Sequence, residues 1–119
     1  MTYPSLMGRN GFETFTRTLP ATELVRQWGE RSVAKIGGRI YAVLAADPGE
    51  LWFKTSPMSF EVMTELPGIR PAPYLARAGW VAVSDASPLD NDELEAYLRA
   101  AHQIIAARLT RKQRAELGL

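Results

Sequence analysis

The stretch Val33 to Ala46, Val-Ala-Lys-Ile-Gly-Gly-Arg-Ile-Tyr-Ala-Val-Leu-Ala-Ala, constrains the fold more than any other part of the chain. Two apolar runs rich in β-branched residues flank Gly37-Gly38, and that pattern predicts a β-hairpin. Two registers are open. A two-residue loop at Gly37-Gly38 pairs Ile36 with Arg39, whereas a three-residue loop from Gly37 to Arg39 pairs Ile36 with Ile40. Side chains alternate along a strand, so a slip of one residue reverses the faces of one strand. The three-residue loop is preferred because it sorts the residues better. It collects Ala34, Ile36, Ile40, Ala42 and Leu44 on one side and Lys35, Arg39 and Tyr41 on the other, as a half-buried sheet requires.

Around the hairpin the other elements follow from spacing. Phe12, Phe15, Thr16 and Leu19 predict a short helix over Asn10 to Leu19 that ends at Pro20. Glu23 to Trp28 predicts a strand with its turn at Gly29-Glu30. Asp47-Pro48-Gly49-Glu50 is a turn by composition, and Leu51 to Thr55 alternates as a strand. Ser56-Pro57 starts a second helix with buried positions Phe60, Met63 and Leu66. The proline-rich residues 68 to 78 are expected to form an irregular loop with a short turn near Tyr74, held on the sheet by Tyr74 and Leu75. Gly79 to Ser84 is a further strand. Asp90, with Glu93 three positions on, caps a long helix whose apolar stripe runs through Leu94, Tyr97, Leu98, Ala101, Ile104, Ile105 and Leu109. The residues from Thr110 either continue that helix or break it. The order is helix, three or four strands, helix, one or two strands, helix. It predicts an α+β fold in two layers, with one antiparallel sheet of about five strands and helices packed on it.

Composition narrows the function classes. A length of 119 residues with 46% hydrophobic and 23% charged residues suits a single globular domain over residues 1–119. With no cysteine, disulfides, thiolate metal sites and thiol catalysis are excluded, and a cytoplasmic location is expected. No apolar run approaches a membrane span, and the first residues lack the pattern of a secretion signal. The net charge is only +1, so attraction to a polyanion must come from uneven placement of charge rather than its total. His102 is the single histidine; at the edge of the apolar stripe it reads as a packing residue. Asp85, Asp90, Asp92 and Glu93 have the oxygen ligands of a hard-cation site, but helix capping accounts for them more economically. There is no Gly-x-Ser-x-Gly, no P-loop and no dinucleotide fingerprint. No enzymatic activity and no cofactor are expected.

Several short stretches occur together in an order that resembles a known family. They are Leu19-Pro20, Trp28-Gly29, Lys35-Ile36-Gly37-Gly38-Arg39-Ile40-Tyr41-Ala42, Phe53-Lys54, Pro71-Ala72-Pro73-Tyr74-Leu75, Trp80-Val81 and the closing amphipathic helix. The chain resembles the MmcQ/YjbR family of small bacterial proteins. The resemblance implies a two-layer fold like that of secretion chaperones and frataxin-type proteins. It also implies DNA binding by a "double wing" of hairpins.

The residues themselves suggest where a partner would sit. With Ile36, Ile40, Leu51, Phe53, Val81 and Val83 turned into the core, the opposite sheet face presents Arg26, Trp28, Lys35, Arg39, Tyr41, Trp52, Lys54 and Trp80. Cations there would contact phosphates and rings would stack on bases. The competing reading is that a helix or a second subunit covers this face and the rings are packing. The partners in view are therefore DNA, or a second copy of the chain or a peptide held on the same aromatic face as in a chaperone-like module. A further basic group, Arg108, Arg111, Lys112 and Arg114, with Arg70 and Arg77, is read as cations opposing a helix dipole or as a phosphate-holding patch.

Overall fold

Gly37 and Gly38 take φ values of +57° and +80°, the left-handed pair that a tight two-residue hairpin turn requires. In the computed structural model, which describes residues 5–45, 49–73 and 75–119, they join β2 (Arg31–Ile36) to β3 (Arg39–Leu44). At the tip Ile36 pairs with Arg39 and Lys35 with Ile40, but further along Ala34 pairs with Ala42, Val33 with Val43 and Ser32 with Leu44. Tyr41 is the extra residue of a β-bulge. The tip thus has the two-residue loop, while the body of the hairpin has the register preferred from the sequence. The bulge corrects two assignments. Ile40 turns away from the main core, and Tyr41 is fully buried within it.

The sheet has six antiparallel strands in the order β1-β2-β3-β4-β6-β5. β1 (Thr22–Gln27) is one edge, β4 (Leu51–Lys54) follows β3, and β6 (Trp80–Val83) lies between β4 and β5 (Ile69–Pro71). β5 falls in the stretch expected to be irregular. Three residues ending in proline are tolerated because an edge strand needs hydrogen bonds on one side only. The expected turn at Asp47-Pro48 and the expected anchor Tyr74 lie outside the described residues.

Among the described residues four α-helices accompany the sheet: α1 (Arg9–Thr16), α2 (Pro57–Met63), α3 (Asn91–Ala106) and α4 (Arg111–Glu116). α3 begins as its sequence dictates. The Asp90 carboxylate accepts the Glu93 N–H at 2.8 Å, and the Glu93 carboxylate accepts the Asp90 N–H at 3.1 Å. A cap of this kind is worth about 1 kcal/mol. Thr110 breaks the C-terminal segment by starting α4 with a second reciprocal cap through Gln113. The main core fills the layer between sheet and helices. Phe12 and Phe15 of α1 and Leu94, Leu98, Ala101 and Ile105 of α3 meet Ala34, Ile36, Tyr41, Ala42, Leu44, Leu51, Phe53, Val81 and Val83. A smaller cluster, Val33, Val43, Trp52, Ala72, Trp80 and Ala82, lies on the opposite side of the sheet. There Ala72 and Leu75 pack against it.

Candidate binding surface

The strand pairings locate the residues of the expected surface, apart from Trp28, which follows the end of β1. Val25 pairs with Val33 and Glu23 with Lys35, so these share the face away from the main core, while Arg26 pairs with Ser32 and belongs to the helix side. The Arg26 guanidinium stands 3.5 Å from the Glu13 carboxylate of α1, which also accepts the Ser32 hydroxyl at 2.7 Å. Tyr41 is in the core, its hydroxyl 2.7 Å from that of Thr22 and its ring edge-on to His102 at 5.3 Å. Arg39, opposite Ile36 at the exposed tip, is likewise on the helix side. Arg26, Tyr41 and Arg39 are therefore corrections to the expected face. The bulge is the cause for Tyr41, the two-residue tip for Arg39, and the β1 register for Arg26.

Trp52 and Trp80 do face away from the helices, but they are 8% and 5% exposed. The Trp52 ring carries the Arg31 guanidinium at 5.3 Å, and its N–H donates to Glu50 at 3.3 Å. Glu50 in turn accepts two hydrogen bonds from Arg70 at 2.8 Å. Trp28 is the exposed ring, at 54%. It lines a cleft of about 470 Å³ with Arg31, Trp52, Pro73 and Leu75. Arg31, absent from the expected set, shares the face of Lys35 four positions on, so alternation extended to the first residue of β2 could have found it.

Charge is sorted along the strand direction. The hairpin tip, the end of β4 and the start of β6 lie at one end of the sheet, because Lys35 pairs with Ile40 and Lys54 with Trp80. The end of α3 reaches the same place. A Cβ on Gly37 would meet the Leu109 side chain at 2.7 Å, and Arg108 lines a cleft with Lys54 and Arg77. Lys35, Arg39, Lys54, Arg77 and Arg108 therefore gather at this tip end, with Arg111, Lys112 and Arg114 on α4 just beyond. None of these has an ion-pair partner among the described residues. Glu23 lies at this end opposite Lys35, and Glu61 lines the cleft. At the far end Glu30 is met by Arg9 and Glu50 by Arg70. Three of the four cations expected to hold phosphate, Lys35, Arg39 and Lys54, are thus brought together, and Arg26 is not.

Lys54 is the most constrained of them. It is 7% exposed, and its ammonium donates to the Ala78 carbonyl of the short 3-10 turn Ala76–Ala78. Burial, and then the nearby Arg108, hold its pKa below the usual lysine range.

A family model described as YjbR matches residues 17–104. The chain belongs to the YjbR family. Two solved structures share the fold. A Deinococcus radiodurans protein, DR2400, with a domain of the DUF419 type, superposes with a TM-score of 0.85 at 23% identity, covering 99% of this chain and 93% of its own. A Pseudomonas syringae protein superposes with a TM-score of 0.66 at 18% identity, covering 82% of this chain and 97% of its own. No curated protein sequence matches the chain.

Within this YjbR chain the remaining polar candidates are structural. His102 is 6% exposed, and its Nε2–H donates to the Pro20 carbonyl at 2.7 Å. Asp90 and Glu93 are occupied by the α3 cap. No group of three or more His, Asp or Glu side chains among the described residues is placed to hold a metal ion. No helix among them is long and apolar enough to cross a membrane.

Proposed function

We propose that this YjbR protein is a non-catalytic, cytoplasmic DNA-binding protein that grips the phosphate backbone with the tip end of its sheet. The observation that carries the reading is the cation cluster at the hairpin tip, the β6 start and the α3 end, which has no carboxylate partner among the described residues. Unpaired guanidinium and ammonium groups release counterions when they meet phosphates. The exposed Arg39 and the half-buried Lys35 stand on a narrow hairpin able to approach a groove, which fits the wing the family resemblance implies. Lys54, 7% exposed, stands behind them in the lining of the cleft with Arg77 and Arg108. Stacking is not part of the reading, since Tyr41, Trp52 and Trp80 are buried and the exposed Trp28 follows β1 at the other end of the sheet. Phosphate contacts hold a duplex without reading its sequence.

Duplex binding is measured over roughly 50 to 200 mM salt for the protein and for a Lys35→Ala/Arg39→Ala variant. The expected result is a steep loss of affinity with salt and, in the variant, a slope smaller by about two, equal on all sequences. Salt-independent binding, or an unchanged variant, refutes the proposal.

A second reading rests on the exposed Trp28 and its cleft at the other end. The pocket is lined mainly by rings and aliphatic groups, so it suits an apolar segment of a partner protein, as in a chaperone-like module. That reading expects peptide capture that survives high salt and is lost in Trp28→Ala. A protein that captures no peptide at any salt concentration removes it.

A further inference from the structure

The cleft at the tip end has the chemistry of a receptor for one phosphoryl group. Its volume is about 420 Å³, within the roughly 300–1,000 Å³ of small-molecule sites. Three cations line it from three separate elements: Lys54 from β4, Arg77 from the 3-10 turn and Arg108 from the residues after α3. Glu61 is the one carboxylate in the lining. It is exposed and makes no ion pair with any of the three.

The charge balance is therefore incomplete. Lys54 has a neutral carbonyl as its hydrogen-bond acceptor and a guanidinium as its charged neighbour. A buried ammonium in that setting lacks the compensation that buried charges ordinarily have. The backbone keeps the amine approachable. Gly79 has φ +77°, and a Cβ there would lie 3.0 Å from Lys54 Nζ. On the other wall Pro57 and Phe60 offer apolar surface.

We infer that the cleft between Lys54, Arg77 and Arg108 binds a phosphate monoester, its phosphoryl group among the three cations and its organic part against Pro57 and Phe60. A monoester carries close to two negative charges at neutral pH, which matches a cluster of three cations and one carboxylate. Guanidinium groups bind such oxygens in pairs. The inference goes beyond backbone gripping: it needs neither Lys35 nor Arg39, and it stands if duplex binding fails. The same chemistry has two sources, a free phosphorylated small molecule and the phosphorylated end of a nucleic-acid strand.

The test is calorimetric titration of the full chain with inorganic phosphate, adenosine monophosphate and, as control, adenosine. Adenosine monophosphate is expected to saturate one site that adenosine does not fill. Arg77→Gln and Arg108→Gln, both exposed and outside the core, each weaken it about tenfold, and Glu61→Gln tightens it. A short single strand with a terminal phosphate is then compared with the same strand lacking it. Tighter binding of the phosphorylated strand, abolished by Arg108→Gln, assigns the strand end as the source. Equal binding of the two strands assigns the free small molecule. If neither inorganic phosphate nor adenosine monophosphate saturates a site by about 10 mM, the inference is overturned. Unchanged affinity in both arginine variants overturns it equally. The Lys35→Ala/Arg39→Ala variant is expected to bind adenosine monophosphate normally, so failure of one proposal is separable from failure of the other.

Discussion

Tyr41→Phe tests the bulge that sets the architecture of the hairpin, because its effect must change sign with pH. Burial pushes the Tyr41 phenol up from 10.0 to about 12, and the hydrogen bond from Thr22 opposes only part of that. In the unfolded chain the phenol ionises near its ordinary value. Between pH 10.0 and about 12 the unfolded chain has lost a proton that the native protein keeps. Stability then falls as pH rises, because the unfolded state binds fewer protons. The contribution is fully present below pH 10.0 and is lost by about pH 12. At about 1.4 kcal/mol per unit, this amounts to roughly 3 kcal/mol. Phenylalanine has no proton to lose, so the variant escapes that decline. At neutral pH it is less stable by about 1 kcal/mol, because the Thr22 hydroxyl loses its partner. The two stability profiles are therefore expected to cross between roughly pH 10 and 11, with the variant ahead above the crossing. Urea denaturation of both proteins at stepped pH reads the difference directly, since titration of every other tyrosine and lysine is common to the two. Parallel profiles would mean that Tyr41 is solvated, and the bulge that turns it into the core would be wrong.

Two further outcomes follow from named contacts. Glu13 is pushed up by burial, but the hydrogen bonds from Ser32 and Arg26, with the charges of Arg26 and Arg17, bring it below its ordinary 4.5. Its contribution is present above pH 4.5 and lost as pH falls through the lower native value, so Glu13→Gln should flatten the acid limb of the stability profile, measured by urea denaturation. An unchanged acid limb would count against the Glu13 network. Gly79→Ala places a side chain at φ +77° and 3.0 Å from Lys54 Nζ, which should cost roughly 1–2 kcal/mol in thermal or chemical denaturation. A neutral effect would show that the turn before β6 is looser than described.

The charge pattern bears on how a nearly neutral chain can act on a polyanion. A net charge of +1 conceals an uneven placement: the tip-end cations have no ion-pair partner among the described residues, whereas at the far end Glu30 and Glu50 are paired with Arg9 and Arg70. A field of that kind orients an approaching polyanion before contact. Composition left polyanion binding to the placement of charge, and the proposed backbone contact rests on that placement.

Local signals determined much of this molecule. Asp90 with Glu93, Ser56 with Pro57, and Gly37 with Gly38 each act within a few residues of themselves, so the starts of α2 and α3 and the hairpin turn were readable from the chain. So were the apolar stripes of α1 and α3 and the antiparallel α+β class, because burial needs a periodic pattern and the pattern is written in the residues. The tertiary structure alone decided which side of the sheet each residue faces. One bulged residue at Tyr41 exchanges the positions of Tyr41 and Ile40, and no local preference marks it, since it pairs a tight Gly-Gly tip with a strand body packed against α3. Residues far apart in sequence were likewise joined only by folding: Lys54, Arg77 and Arg108 around one cleft, and Trp52 and Trp80 against Ala72 and Leu75. Periodicity can say that a side chain alternates, but only the packed neighbours settle whether it is covered or whether its charge is met.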